Sequence, residues 1–294
     1  MKKLFLNNFA FYLPAVLMSI SSCKKDGAST PLTLKNDINV ATSSALGRYL
    51  TNKNGLTLYM FANDADGAST CTGDCEVLWP AFTTDIANPS LDSTLRAIDF
   101  ATITNAAGKM QVTYRGWPLH TYSPPGTNGY GSSSNVPEAL GSTGGDGFAG
   151  IWFVAKPDYT IMLANTQLKG LDGNLYQKDY SFGAGLTTYF TDGAGKTIYT
   201  FAADSFNMNK FTKPDLSNNS LFPIYEQESI VVPSILNKSL FSAITFAGKK
   251  QLTYKGWPLY YFGQDLLRGS NKGISVPARG VWPVAVKDIA EAVK

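Results

Sequence analysis

The sequence predicts a mainly β protein with minor helix, made of two tandem homologous β-rich repeats that pack with pseudo-twofold symmetry. The first observation is a duplicated stretch, KMQVTYRGWPL at residues 109–119 and KKQLTYKGWPL at residues 249–259, which is identical at eight of eleven positions. Two copies this similar indicate a duplicated structural unit. The second observation is that short segments of alternating apolar and polar residues, bounded by Gly, Asn and Asp, recur along the whole chain, and this pattern is typical of strands.

Composition limits the classes of function. The 294 residues suffice for two ordinary domains, and 44% hydrophobic against 16% charged residues is globular rather than disordered. A net charge of +3, carried by scattered Lys and Arg residues, gives no basic patch, so we expect no nucleic-acid partner. The single histidine weakens any scheme that needs several imidazoles.

The N-terminus has the pattern of a processing signal. Lys2 and Lys3 precede an apolar stretch, residues 4–20, that is too short and interrupted for a good membrane span. The following Ile-Ser-Ser-Cys resembles the lipobox of bacterial lipoproteins, in which the cysteine is lipidated. This resemblance implies a signal peptide at residues 1–22 and a lipid anchor at Cys23. An ordinary secretory peptide with an incidental cysteine is the alternative.

The expected location follows from that anchor. Several acyl chains on one cysteine give stable attachment to a membrane, so the membrane is the one partner that the sequence suggests directly. The charged residues after Cys23 resemble those of Bacteroidetes-type lipoproteins, which implies an outer-membrane lipoprotein, periplasmic or surface-exposed. Residues 23–45 are polar and predict a tether.

The elements of the first repeat, residues 46–155, follow from local signals. A strand–turn–strand segment is expected first, because Asn54-Gly55 suits a tight turn. One or two helical turns follow and stop at Pro80. A second hairpin turns at Gly116, and a long Gly-rich and Ser-rich loop leads to a last apolar strand at residues 150–155.

The second repeat, residues 185–294, shows the same plan after a connector at residues 156–184 with possible extra strands. Its first hairpin lies 140 residues after that of the first repeat, and Leu221-Phe222-Pro223 matches Leu78-Trp79-Pro80. The last residues, 288–294, suggest a short terminal helix.

A recurring signature, Tyr-x-aromatic-x-x-Asp, identifies the chain's relatives. It begins at Tyr59, Tyr199 and Tyr260, and a fourth copy beginning at His120 has Pro125 where the aspartate belongs. With the Cys-x-Gly-x-Cys stretch, the Trp-Pro pair and the Gly-Trp-Pro-Leu motif, the chain resembles the bacterial secreted-repeat lipoproteins of unknown function. That resemblance covers nearly all of residues 48–286 and implies a secreted or lipid-anchored repeat protein with no established activity.

The signature aspartates have two interpretations. Alternate aromatics fit a half-buried sheet, and an aspartate just past the strand can accept backbone N–H groups and close a turn. The functional alternative is that Asp64, Asp204 and Asp265 converge as ligands or as a carboxylate pair, which could carry out acid/base or glycosidase chemistry. We favour the framework interpretation, because residues repeated in every copy usually serve the fold.

A calcium site is a separate possibility in the first repeat. The loop carries Asp64, Asp66 and Asp74 together with Asn63 and Glu76, and their oxygens are ligands that a hard cation accepts. The spacing does not match an EF-hand loop, and polar Asp/Asn-Gly loops are common without metal. We therefore expect no cofactor, with calcium as the alternative.

The cysteine pair predicts a local disulfide. Cys71 and Cys75 are separated by three residues in a protein expected outside the cytoplasm, where thiols oxidise. The alternative is a redox-active pair or a soft-metal site that also uses His120. Since His120 aligns with Tyr260, an exchange of one ring for another at a strand position is the simpler explanation.

The sequence favours a non-enzymatic protein with a binding or structural role. No nucleophile-elbow, phosphate-loop, zinc-peptidase or nucleotide-binding pattern is present. Trp117 and Trp257 are expected to be buried, although exposed tryptophans could stack on sugars. Redox or metal handling and carbohydrate binding or hydrolysis are the alternatives, and a protein or a glycan could be the ligand.

Overall fold

The computed structural model describes residues 36–126 and 134–294, so the signal peptide and Cys23 predicted from the sequence lie outside the described residues. This part of the chain is mainly β with one short α-helix, and the predicted fold class is confirmed. The strands are β1 Ile38–Ser43, β2 Gly47–Asn52, β3 Tyr59–Phe61, β4 Phe100–Thr104, β5 Met110–Tyr114, β6 Trp117–His120, β7 Trp152–Val154, β8 Met162–Lys169, β9 Leu175–Tyr176, β10 Leu186–Thr191, β11 Phe241–Phe246, β12 Lys249–Tyr254 and β13 Trp257–Pro258, and the helix is α1 Asp74–Leu78.

The strands form four antiparallel sheets. The largest has five strands in the order β4-β5-β6-β3-β7. Its counterpart in the second half is the three-stranded sheet β11-β12-β13, and a second three-stranded sheet has the order β10-β8-β9. The β1-β2 hairpin completes the set. Short strands joined by tight turns follow from the alternating pattern and from the Gly, Asn and Asp residues between the segments.

The two halves repeat the same pairing register. Tyr59 of β3 lies opposite His120 of β6 in the first half. In the second half, an isolated bridge joins Tyr199 to Tyr260, the residues 140 positions later. The hairpins built on the duplicated stretch also agree, since β5 pairs with β6 as β12 pairs with β13. The duplication seen in the sequence is therefore a duplication of hydrogen-bond pattern.

Stacked rings fill the interior of each half. Trp79 stacks on Trp152, with ring centroids 3.9 Å apart and an interplanar angle of 3°. Phe222 stacks on Trp282 in the same manner, at 3.6 Å and 5°. Aromatic pairs add to the free energy gained by burying their large apolar surfaces. One cluster of buried hydrophobic residues includes side chains from both halves.

Strand β1 lies within the segment that the sequence predicts as a tether, residues 23–45. Strand β1 pairs along its length with β2. Ile38 is fully buried and Val40 is half-buried, and the intervening Asn39 is also buried, with its side-chain amide donating to Asn36 O at 2.7 Å. The polar composition of residues 23–45 therefore does not reveal the short half-buried strand β1.

The connector and the C-terminus also differ in detail from the sequence pattern. Strand β8, within the connector at residues 156–184, pairs with β10 of the second half. The helix expected at residues 288–294 is absent, and these described residues form turns and irregular structure. Backbone bonds that reach other segments, such as Ala292 N to Lys255 O at 3.0 Å, replace the helical ones.

One half-buried arginine joins the two halves. The Arg268 guanidinium lies over the ring of Trp117, 4.7 Å from its centroid, and Nε donates to the Ala65 carbonyl at 2.9 Å. Burial lowers the pKa of Arg268 to about 10. Gly116 makes room for this side chain, since a Cβ there would lie 2.1 Å from Nη1.

Candidate functional site

All three signature aspartates are buried. Asp64, Asp204 and Asp265 expose 0%, 5% and 3% of their surface. In each case one carboxylate oxygen accepts a backbone N–H from six or seven residues further along the chain. These donors are Thr70 N at 2.8 Å, Lys210 N at 2.8 Å and Lys272 N at 3.0 Å. The carboxylates thus close their own loops, as expected for aspartates that terminate a strand.

In the second half, the other carboxylate oxygens bond to the aromatic residue of the opposite signature copy. Tyr199 donates its hydroxyl to Asp265 Oδ2 at 2.5 Å, and Tyr260 donates to Asp204 Oδ2 at 2.8 Å. The tyrosine of each copy therefore binds the aspartate of the other copy. Two buried charge-assisted hydrogen bonds join the two copies.

In the first half, a glutamate replaces the missing aspartate. Tyr59 donates to Glu138 Oε1 at 2.5 Å, and Glu138 Oε2 accepts the backbone N–H of Gly144 at 3.0 Å. These two bonds reproduce those of Asp265, although Pro125 occupies the signature position. The sequence does not single out Glu138. The one available signal is that it directly follows the Val-Pro pair that recurs 140 residues later.

His120 takes the place of a tyrosine in the fourth pair. Its Nε2 lies 3.3 Å from Asp64 Oδ2, and its Nδ1 lies 3.0 Å from the Trp79 carbonyl oxygen. A carbonyl can only accept, so Nδ1 carries a proton. Gln111 Nε2 lies 3.2 Å from the same Nε2 and also donates to Leu119 O at 3.0 Å. Asp64 and His120, both singled out from the sequence, are thus in direct contact.

Burial sets the electrostatics of the pairs. Desolvation raises the pKa of Asp204 and Asp265 to about 6, although the tyrosine and backbone hydrogen bonds act in the opposite direction. Desolvation likewise raises the pKa of Glu138. The same burial, together with the neighbouring carboxylates, raises the pKa of Tyr199 and Tyr260 well above the usual value. The pairs act as hydrogen-bonded units in the buried interior.

The other loop carboxylates lie apart from these pairs. Asp66 is exposed and accepts the backbone N–H of Ala68 at 3.0 Å, while Asp74 is the first residue of α1 and is also exposed. Across residues 36–126 and 134–294, no group of three or more His, Cys, Asp or Glu side chains is placed to hold a metal ion. The calcium alternative therefore gains no support from this loop.

The predicted disulfide is confirmed. Cys71 and Cys75 are bonded, with their Cα atoms 5.2 Å apart. Helix α1 begins between them at Asp74, so the bond fixes the loop to the first helical turn. Cys71 is buried in a cluster that includes Trp79 and Trp152. Because the closed loop is short, we expect a local effect on the loop rather than a large gain in stability.

The two Gly-Trp-Pro-Leu tryptophans differ in exposure. Trp117 is fully buried and donates its Nε1–H to Gly193 O at 3.1 Å. Trp257 is half-buried and donates to Ala290 O at 2.8 Å. Both indoles are therefore held by backbone carbonyls of the second half, and the buried ring of Trp117 leaves no face free for a sugar.

A comparison with protein-family models identifies two segments. Residues 40–83 and 243–286 each match the model of a secreted repeat of unknown function. The first segment contains the signature that begins at Tyr59, and the second contains the one that begins at Tyr260. These copies do not lie 140 residues apart, so each duplicated half holds two shorter signature repeats.

Other comparisons add nothing to this result, since neither curated proteins nor solved structures give a match. No helix within the described ranges is long and apolar enough to cross a membrane. The resemblance read from the signature is confirmed: this chain carries two copies of the secreted repeat of unknown function, at residues 40–83 and 243–286.

Proposed function

We propose that this chain is a non-enzymatic, lipid-anchored protein of the cell envelope, attached at Cys23, whose repeats form a rigid binding or structural body. The observation that supports the non-enzymatic role is the burial of the three signature aspartates. Asp204 and Asp265 accept internal hydrogen bonds at both oxygens, and Asp64 accepts two at Oδ1 while its Oδ2 contacts His120. A catalytic carboxylate must reach a substrate, whereas these groups lie in the interior.

The anchor is tested directly on the membrane-bound protein. Mass spectrometry of the N-terminal peptide from the full chain should find Cys23 as the first residue, carrying acyl chains. The Cys23→Ala variant should lose the acyl chains and leave the membrane fraction. An N-terminus at another residue, or a Cys23→Ala variant that stays in the membrane, would overturn the anchoring.

The non-enzymatic role is tested by complementation of a deletion strain. The Asp64→Asn, Asp265→Asn double variant keeps both side-chain shapes and one acceptor oxygen at each position, but replaces the other oxygen by an NH2 group and so removes two carboxylates. We expect it to restore whatever phenotype the deletion causes, provided that its abundance in the envelope equals that of wild type. A variant that is folded and abundant yet fails to complement would support the carbohydrate-active alternative.

The redox alternative depends on the cysteine pair. A structural disulfide stays oxidised through the life of the protein, whereas a redox pair cycles. Trapping thiols with iodoacetamide in living cells should leave Cys71 and Cys75 unlabelled. Labelling of both cysteines, or a transition metal that copurifies and is lost on Cys71→Ser, would favour redox or metal handling.

A further inference from the structure

A buried lysine occupies a position that the other half fills with valine. Lys156 follows Ala155, and Val286 follows Ala285, in segments that make the same contacts. Ala155 O accepts Leu50 N, and Ala285 O accepts Phe190 N, each at 2.8 Å. The framework is therefore compatible with an apolar side chain here, and the first half departs from it.

The departure has an energetic cost. Lys156 exposes 6% of its surface, and desolvation lowers the pKa of its amine. Within the described chain, Nζ donates to the Val232 carbonyl at 3.0 Å and lies 5.4 Å from the ring centre of Tyr159. An ammonium group has three protons to donate, so this carbonyl satisfies one of them. A buried lysine with spare donors needs a reason beyond packing.

Lys156 lines a cavity of about 520 Å³ between the two halves. The walls come from the turn between β1 and β2, from the segment after β7 and from residues 230–238. Its charged lining groups are Arg48, Lys156, Lys238 and Asp158, which give a net charge of +2. The remaining lining includes Val231 and other apolar side chains of the same loop. A pocket that combines apolar side chains with a few charged groups is the usual form of a small-molecule site.

We propose that this cavity binds a small organic anion, of about monosaccharide size, through a carboxylate or phosphate group held by Lys156, Arg48 and Lys238. The excess of positive charge selects the anionic group, and the cavity volume limits the size of the body attached to it. This inference deepens the binding role proposed above and rests on it. It does not depend on the lipid anchor at Cys23.

The test uses the full-length chain in detergent and isothermal titration calorimetry with three probes that share a sugar ring. D-glucuronate carries a carboxylate, glucose 6-phosphate carries a phosphate, and D-glucose carries no charge. We expect at least one of the two anions to bind with a Kd of about 1 mM or tighter, and D-glucose not to bind. The preferred anion distinguishes the carboxylate from the phosphate.

Lys156→Val reproduces the residue of the second half and should weaken binding of the preferred anion at least about tenfold, since a charged hydrogen-bond donor is lost. Lys238→Glu, an exposed change at the same cavity, should weaken it as well. Lys213→Met, which removes an exposed positive charge elsewhere, should leave binding within about twofold. Binding of neither anion below about 10 mM, or retention of wild-type affinity in Lys156→Val and Lys238→Glu, would overturn the proposal.

Stability provides an independent measurement. If Lys156 serves a ligand, Lys156→Val should raise the melting temperature, because the buried amine is costly and valine suits the repeat. If Lys156 serves only the fold, the melting temperature should fall, which would contradict the assignment even where no ligand is tested. None of these results changes the outcome of the Cys23 or complementation experiments, so the two proposals fail separately.

Discussion

The burial of Asp265 makes stability depend on pH in a direction opposite to that of most carboxylates. Burial raises the pKa of Asp265 from 3.8 to about 6. Between these two values, the folded protein holds a proton that the unfolded chain has released. The contribution of Asp265 to the free energy of unfolding is therefore complete only well below the unfolded pKa of 3.8, and it is lost as the pH rises through about 6.

The magnitude follows from the shift. A difference of 3.8 to about 6 corresponds to about 3 kcal/mol in the limit, at 1.36 kcal/mol per pH unit. At about pH 4 the titration is incomplete, and about 2 kcal/mol of this amount is expected relative to pH 7. Asp265→Asn mimics the protonated acid and removes the titration. The stability of wild type relative to Asp265→Asn should therefore rise by about 2 kcal/mol between pH 7 and pH 4.

Urea unfolding at both pH values measures this change. Asp85→Asn, which removes the same charge at an exposed site, is the control for net charge. A difference in the free energy of unfolding between wild type and Asp265→Asn that stays constant with pH would refute the reasoning. So would a relative loss of wild-type stability on acidification, since a lowered pKa in the folded state gives that sign.

Three further predictions address the framework. Ellman assays of the denatured, unreduced protein should find no free thiol from Cys71 or Cys75, and two thiols would contradict the disulfide. Gly116→Ala should lower the free energy of unfolding by more than about 2 kcal/mol, because the new Cβ would meet Arg268. Gly108→Ala, also at positive φ but in open space, should lower it by about 1 kcal/mol in the same urea titration. Glu138→Ala should cost about 2–3 kcal/mol and Glu138→Gln about 1 kcal/mol less, since Gln keeps an acceptor for the Tyr59 hydroxyl; equal losses would exclude that role.

The sequence predicts the strands and the duplication because both depend on local patterns. The short apolar run of β3 and the four buried residues that end β12 are typical of core strands, and Pro80 limits the helix that starts at Asp74. The end of the tether was harder to predict, because β1 is only six residues long and gains its stability from pairing with β2. Such tertiary pairing overrides local composition.

The site was harder to predict than the fold. The signature marks which aspartates matter, and Asp64 and Asp204 do close loops, as the framework interpretation expects. Their crossed partners, however, come from strand pairing between copies, which no spacing along the chain reveals. Glu138 and Lys156 stand out only after the two halves are superposed in register, since each is a departure from the repeat rather than a part of it.

The most direct test of the structural role of the signature is a double-mutant cycle between Tyr199 and Asp265. Tyr199→Phe, Asp265→Asn and the double variant are compared with wild type by urea unfolding at about pH 7. If their hydrogen bond joins the two signature copies, the coupling energy should be at least about 1 kcal/mol. If the stability losses of the two single variants add to that of the double variant within about 0.3 kcal/mol, the cross-link is contradicted. A chemical role for Asp265 would then again be the better explanation of the signature.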